Sequence, residues 1–488
     1  MDWGSDIAVD STITTSPVVY VLGSAFTSPT SGGDAVISKF NSNGDITAAA
    51  RFSGTGGMAL AVNQNGVYMT GQRPSPSAYV TAKYDLNLNL ITSTALAGDA
   101  SARAIALDNS GNVYVIGSDG TTNAYNYKIV KYDANLVQQG SPVIYDSGYN
   151  DEGSGIAVDN SGNIFVTGMK ISGTGYSIVT LKYNSSLVLQ NTAEYSTNVY
   201  YSTNYGLYPK IALDKNSGSV YIVGTVIGSA GSEDPPFRDI LLVKYDSSLN
   251  QVGTVVYADG FEGTNLAVDA GGNVYVNGNY YNGVVQDAWL VVKYNSSLVY
   301  QSNFTDKSAI NSMDEPGGIA LDSAGNVYLS GITAPTFIQG DWSNFNLRAK
   351  RFPPMASATT GVVTGVITYT GSLGPVSASK PIIVVMNPFP DVFDGFVANG
   401  TTYQAVTLTA SGTFTFTNVP PGQYHLGVIL DVNNDSVTTG DPCELYTPGS
   451  NAGSNLHSDP ATAFTVTAGH LYSTSPNIGF NDTMWVGQ

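Results

Sequence analysis

The stretch GIAVDNSGNIFVTG from Gly155 returns as AIALDNSGNVYVIG from Ala104, NLAVDAGGNVYVNG from Asn265 and GIALDSAGNVYLSG from Gly318. With degenerate copies included, the short apolar strand ends seven times, at Asp10, Asn63, Asp108, Asp159, Asp214, Asp269 and Asp322, at intervals of 45 to 55 residues. A supersecondary unit of that size cannot bury both faces alone, so copies must stack. With β signals only, the period predicts a propeller with one four-stranded blade per repeat.

Each repeat reads alike. A small-residue strand such as IALD fits a crowded central channel. A tight Asp-x-x-Gly-Asn turn follows, because the short Asp side chain bonds nearby backbone N–H groups. The next strand, NVYVxG, is β-branched or aromatic. After a variable loop, the third strand ends in lysine and usually an aromatic: VISKFN, VTAKYD, IVKYD, VTLKYN, LLVKYD, LVVKYN and LRAKRF. A more polar outer strand such as QVGTVVYAD completes most blades. The seventh repeat runs from LRAKRF into PPMASATTG, so blade seven is read as three-stranded, or as lacking an outer strand lost with a leader.

These residues resemble the bacterial secreted β-propeller repeat known as SBBP. DAVISKF (Asp34 to Phe40), DILLVKY (Asp239 to Tyr245) and DAWLVVKY (Asp287 to Tyr294) match its lysine-ending strand. The likeness covers roughly residues 4–354 and implies a seven-bladed propeller across residues 1–354. It implies little about activity, since fold does not fix function.

From Thr360 the pattern changes. GVVTGVITYTG, PIIVVMNP, YQAVTLTASGTFTFTNVPPGQYHLGVILD and TAFTVTAGHLYS alternate as half-buried strands between Gly/Pro turns. Residues 360–488 therefore read as a β-sandwich. GTFTFTNVPPGQYHLGVILDVNND resembles the transthyretin-like, or carboxypeptidase-regulatory-like, domain. Lys380 is its only Lys or Arg against eight acids.

The whole chain carries 19 Lys+Arg against 37 Asp+Glu, and only six of the acids are Glu. That balance repels nucleic acid and anionic membranes. No apolar run approaches the roughly 20 residues that span a bilayer, so no membrane insertion is expected. Cys443, the single cysteine, permits no intrachain disulfide. Met1-Asp2-Trp3 leads almost directly into the first repeat, which points to a removed leader. Both resemblances imply an exported bacterial protein, secreted or displayed on the cell surface.

Candidate sites fall where the repeats differ. In DVNNDSVTTGDP, Asp431, Asn433 and Asp435 alternate like the first ligands of an oxygen-only calcium loop. Val437 would add a backbone carbonyl, Thr439 a hydroxyl or bridged water, and Asp441 a closing carboxylate. Ser436 replaces the usual glycine and Asp441 comes one residue early, so a metal-free polar loop is the alternative. Asp391 and Asp394 in PDVFDGF read as a turn, because two carboxylates alone hold calcium poorly. The seven recurring lysines, Lys39, Lys83, Lys131, Lys182, Lys244, Lys293 and Lys350, read as blade packing, with ion pairs to the turn-side Asp or Asn. Catalysis needs a residue once, not seven times.

Acids also gather ahead of the innermost strands: Asp99, Asp151, Glu152, Glu262, Asp314 and Glu315. The propeller topology places such loops at one channel mouth, together with Phe237, Arg238, Asp239, Tyr280, Tyr281, Asp287 and Phe337 through Trp342. Aromatics beside carboxylates suit a sugar or a cation; a hydrated acidic mouth is the plain alternative. His425, His457 and His470 all lie beyond the repeats, and no nucleophile elbow, zinc motif or phosphate loop occurs. The expectation is a non-catalytic binding or adhesion protein, with a glycan or protein on the propeller face and the sandwich as spacer or assembly module. A carboxylate-based lyase, lactonase or glycosidase in the channel and a subunit of a surface layer or filament stand as alternatives.

Overall fold

The computed structural model describes residues 2–355 apart from 11–16, 26–32, 99, 121–124, 174, 202–206, 229–237, 258–261, 281–287, 307–312 and 335–345. Beyond them it describes 361–369, 376–379, 381–387, 404–410, 412–419, 422–430, 443–445, 464–466, 471–473 and 478–480. The chain divides into two compact units, one of residues 1–299 and 303–355, the other of 300–302 and 356–488.

The first unit is a seven-bladed β-propeller. Its seven antiparallel sheets follow one another along the chain, six four-stranded and the last three-stranded. The first strands of the blades are Asp2–Asp10, Gly56–Asn63, Ala100–Leu107, Asn150–Val158, Lys210–Leu213, Glu262–Val268 and Met313–Leu321. Second strands such as Val113–Asp119 and Val274–Tyr280 are buried along almost their whole length. They lie between neighbouring sheets, which is why NVYVxG is apolar at every position rather than at alternate ones. Fourth strands are the wet edge: Ile46, Leu90 and Val252 stand there exposed.

The repeated aspartate is architecture. Asp108 Oδ1 accepts the backbone N–H groups of Ser110 and Asn112 at 2.9 and 2.8 Å, and Oδ2 accepts Asn112 Nδ2 at 2.7 Å. Asp159, Asp269 and Asp322 repeat the arrangement. A second Asx turn joins third and fourth strands, and there a leucine takes the left-handed conformation: Leu88, Leu136, Leu187, Leu249 and Leu298 have φ between 59° and 67°. That backbone costs a non-glycine residue on the order of 1 kcal/mol. Burial offsets it, since Leu88, Leu136 and Leu249 are each only 5% exposed. Leu88 joins a cluster with Tyr20, Leu22 and Ile37 of the preceding blade.

The recurring lysines work at these seams, but not through hydrogen bonds to turn-side carboxylates. Each crosses an aromatic ring of its own blade, then donates to a backbone carbonyl in the next blade. Lys39 meets Leu86 O at 2.8 Å, Lys83 meets Ala134 O at 2.8 Å and Lys131 meets Ser185 O at 2.9 Å. Lys182, Lys244 and Lys293 reach Ser247 O, Ser296 O and Met355 O in the same way. Oδ1 of the turn's Asp or Asn is taken by the turn's own N–H groups, and the lysine charge acts on the turn carboxylate without a hydrogen bond, as Lys39 on Asp85 and Lys182 on Asp246. Lys350 breaks the series and pairs with Asp306 of blade six. Blade seven meets blade one through Ile7, Val19, Val21 and Tyr328 instead.

In the second unit, Gly361–Tyr369 pairs antiparallel with Gly412–Val419 and parallel with Leu471–Ser473 and Ile478–Phe480. A second sheet sets Ile382–Asn387 between Gln404–Leu408 and Gly422–Leu430. Cys443–Leu445 and Phe464–Val466 pair with the last of these. The alternating pattern marks strands but not their partners: the antiparallel pairs of Gly361–Tyr369 with Gly412–Val419 and of Ile382–Asn387 with Gly422–Leu430 join distant segments, as the parallel pairs do, and leave no local signal.

Lys83→Met deletes a charged hydrogen bond at a site only 7% exposed. It lowers unfolding free energy by about 1.5–3 kcal/mol, read as a drop in the urea midpoint. Lys350→Met, with an ammonium side chain 45% exposed, moves the midpoint far less. Equal shifts would show that the seam bond contributes nothing special.

Candidate ligand-binding site on the propeller axis

A register shift in the first strand positions the site. In blade four the pairing runs Gly153 to Gly168, then skips to Gly155 and Thr167. The extra residue makes a bulge, which bends the strand and re-aims its side chains. Blades one, two, three, six and seven carry shifts at the corresponding place. The bulge also explains the glycine that ends NVYVxG: a Cβ on Gly168 would meet Glu152 O at 2.1 Å.

Beside the bulges lies a cavity of about 130 Å³, to which all seven first strands contribute. Its polar lining is Asp6, Arg103, Lys210 and Asn265, against apolar walls that include Ile105, Ile156, Ile211 and Ile319. Asp6, Lys210 and Asn265 occupy one column of the repeat, the residue just ahead of the apolar phrase. The other four places hold Ala59, Ala104, Gly155 and Gly318. Small residues open the space that three polar ones enter.

Asp6 Oδ1 accepts Ile7 N–H at 2.9 Å, and Oδ2 accepts Leu60 N–H of the next blade at 2.8 Å. Burial pushes its carboxyl up from 3.8 to about 6, against those two bonds and the distant Lys210 charge. Lys210 Nζ donates to Ser154 O at 3.1 Å, and burial pulls it down from 10.5 to about 8. Among the described residues no ion pair joins Asp6 to Lys210. Asn265 Oδ1 accepts Leu266 N–H at 2.9 Å.

The acids expected in loops at the mouth lie elsewhere. Asp151, Glu152, Asp314 and Glu315 sit inside first strands, and Glu262 begins one, because each strand continues past its bulge. Asp151, Glu152, Glu262 and Asp314 are buried and Glu315 half-buried, so they do not form a hydrated rim. Glu152 accepts Arg103 Nη2 at 3.0 Å, Tyr201 Oη at 2.8 Å and Tyr208 Oη at 3.0 Å. The Arg103 guanidinium stacks 3.8 Å from the Tyr208 ring centre, and among the described residues its buried Nε has no partner. Glu262 pairs with Arg238, and Asp314 with Arg348 at 3.2 Å. Asp151 accepts both the N–H and the hydroxyl of Ser147, at 2.7 and 2.8 Å. Burial still raises its carboxyl above the ordinary range. Glu152, Glu262 and Asp314 are thus each held by an arginine, and Asp151 by Ser147.

Tyr280 ends the second strand of blade six, half-buried. Asp99, Tyr281 and Trp342 lie outside the described residues, as do Asp391, Asp394 and the whole loop of Asp431, Asn433, Asp435, Val437, Thr439 and Asp441. Among the described residues no three His, Cys, Asp or Glu side chains gather in a way that holds a metal.

Sequence reasoning missed Asp6, Arg103, Lys210 and Asn265. The signal was present, since the column ahead of the apolar phrase reads D, A, A, G, K, N, G. It is silent in a search for what the copies share.

The fold defines a seven-bladed β-propeller. A family model described as "SBBP: Beta-propeller repeat" matches residues 137–169, from the end of blade three into the first two strands of blade four. No curated protein matches the chain. Among solved structures, the extracellular domain assigned to a hybrid two-component system of B. thetaiotaomicron is 15% identical at a TM-score of 0.42, covering 90% of this chain and 54% of that one. The chain thus spans about half the length of that domain. Virginiamycin B lyase from Staphylococcus aureus is 13% identical at 0.39, covering 62% and 86%. A gluconolactonase from Xanthomonas campestris is 12% identical at 0.36, covering 63% and 91%.

Asp239 in blade five is buried, and among the described residues its carboxyl has no hydrogen-bond partner; burial pushes that carboxyl from 3.8 to about 7. A carboxyl with a folded pKa above its unfolded value binds protons more tightly in the native state. Native stability therefore falls as pH rises through the window from 3.8 to about 7. Asp239→Asn stabilises the protein at pH 8 by about 1–4 kcal/mol and flattens that part of the pH–stability curve. An unchanged curve would place the charge elsewhere.

Proposed function

We propose that this is an exported, non-catalytic binding protein whose propeller recognises a glycan or protein partner. We read the second unit as a β-sandwich that acts as spacer or assembly module. The observation that carries the binding reading is the axial cavity. Four blades keep Ala or Gly in the column ahead of the apolar phrase, but the other three have diverged to Asp6, Lys210 and Asn265, which line empty space. Divergence at one column of a repeat marks the place where the copies do different work. The non-catalytic part rests on the occupied acids, since glycoside chemistry needs two carboxylates free to face one bond. Export rests on the likeness to the secreted propeller repeat; among the described residues no helix is long and apolar enough to cross a membrane.

The test is affinity electrophoresis and pull-down of the full chain against a panel of neutral and acidic polysaccharides and surface proteins. Retention is expected without new reducing or unsaturated ends. Accumulating cleavage products would make the propeller an enzyme, and no retention by any partner would remove the binding reading.

The segment Asp431 to Asp441 is proposed as a calcium loop that stiffens the second unit. Calcium should raise the melting temperature of that unit and a chelator should reverse the shift, as linkage requires. An identical melt in both conditions, with no metal by elemental analysis, would remove calcium from the account.

A further inference from the structure

We propose that the axial cavity is a binding site for a small carboxylate, gripped by Lys210 and Asn265, with Asp6 as a proton-dependent partner. The inference rests on the binding reading above and names a ligand class for it. A free organic acid and the acid group of a uronic sugar share this chemistry.

The cavity has a surplus of donors. Lys210 spends one of its three ammonium protons on Ser154 O. Asn265 uses only its carbonyl oxygen, on Leu266 N–H, which leaves its amide N–H pair available. Both oxygens of Asp6 already accept backbone N–H groups. The free side-chain donors on Lys210 and Asn265 outnumber the lone pairs left on Asp6, so a ligand that brings acceptors complements the lining. A carboxylate supplies two oxygens and a charge, and Lys210 lacks an ion-pair partner among the described residues. The walls of Ile105, Ile156, Ile211 and Ile319 suit a short hydrocarbon body. The cavity of about 130 Å³ has room for several waters or one small organic acid.

Asp6 decides when the site opens to an anion. The charged groups facing it from the surrounding strands are Lys210 in blade five and Arg103 in blade three, the latter neutralised by Glu152. As a carboxylate, Asp6 repels the ligand. As an acid it adds a donor. Its carboxyl titrates near 6 and the Lys210 ammonium near 8, so the site is most receptive on the acid side and closes as pH rises through both. The electrostatic sign is fixed: an entering anion raises the affinity of Asp6 for its proton.

Isothermal titration calorimetry of the full chain with acetate, glucuronate and neutral glucose, at pH 5 and pH 8.5, tests this. Acetate or glucuronate should bind at pH 5, at least about tenfold more weakly at pH 8.5. Binding of acetate alone marks a free organic acid, and of glucuronate alone a uronate. Lys210→Met should weaken binding by at least about tenfold, with its fold checked by thermal melting; Asp6→Asn should keep binding and lose the pH dependence around pH 6 while retaining the fall caused by Lys210 at higher pH. Glucose binding as tightly as glucuronate, no heat from either acid at pH 5, or full affinity in folded Lys210→Met would each overturn the proposal. Should Lys210→Met fail to fold, the wild-type profile decides: equal affinity at pH 5 and pH 8.5 overturns it. Polymer retention without small-acid binding sinks this inference alone, whereas small-acid binding without any retained partner sinks only the wider reading.

Discussion

A propeller blade is a small sheet with two apolar faces, and it persists only when both are covered by its neighbours. The contact between blades is therefore what everything else in this unit stands on. Here it has a recurrent chemical form. A lysine stem lies across an aromatic ring, its ammonium caps a carbonyl of the next blade's turn, and a leucine from that turn packs into the seam. The left-handed leucine shows the order of priorities. Backbone comfort is given up at five turns so that a large apolar side chain reaches the seam. Placement of the channel-lining strands, and hence of the axial cavity, follows from how these seams space the sheets.

Much of this was legible in the sequence, because repetition averages out local ambiguity. One copy of the Asp-x-x-Gly-Asn turn is a weak signal; its recurrence with fixed spacing separates a turn-forming aspartate from a catalytic one. The lysines were legible as seam residues, but not their partners. A backbone carbonyl leaves no trace in the residue letters. The acids were misjudged for a related reason. Glu152 and Glu262 look like loop residues because glycines follow them, yet those glycines sit at a bulge in a continuing strand. Their arginine partners, Arg103 and Arg238, lie 49 and 24 residues earlier in the chain.

The axial residues were hidden by the strength of the repeat itself. Asp6, Lys210 and Asn265 each look like an imperfect copy until all seven are set side by side. Their common feature is position: Asp6 and Asn265 directly follow a bulge, and Lys210 opens the unbulged first strand of blade five, and all three line the axial cavity. A repeat fold thus separates two tasks. The invariant columns maintain the ring, and the column at the axis varies within limits set by the neighbouring blade: a Cβ on Gly318 would meet Ile7 N at 2.6 Å.

The seventh seam differs from the other six. Among the described residues no lysine of blade seven caps a carbonyl of blade one, no strand is shared across the junction, and the faces meet through Ile7, Val19, Val21 and Tyr328. The ring behaves as a split washer with one greasy joint. Apolar contacts weaken on cooling while charged hydrogen bonds do not follow the same curve. Cold, rather than heat, is the stress that singles out this joint. A ring that parts there opens into a curved row of six stapled seams, each still covering the blades on either side.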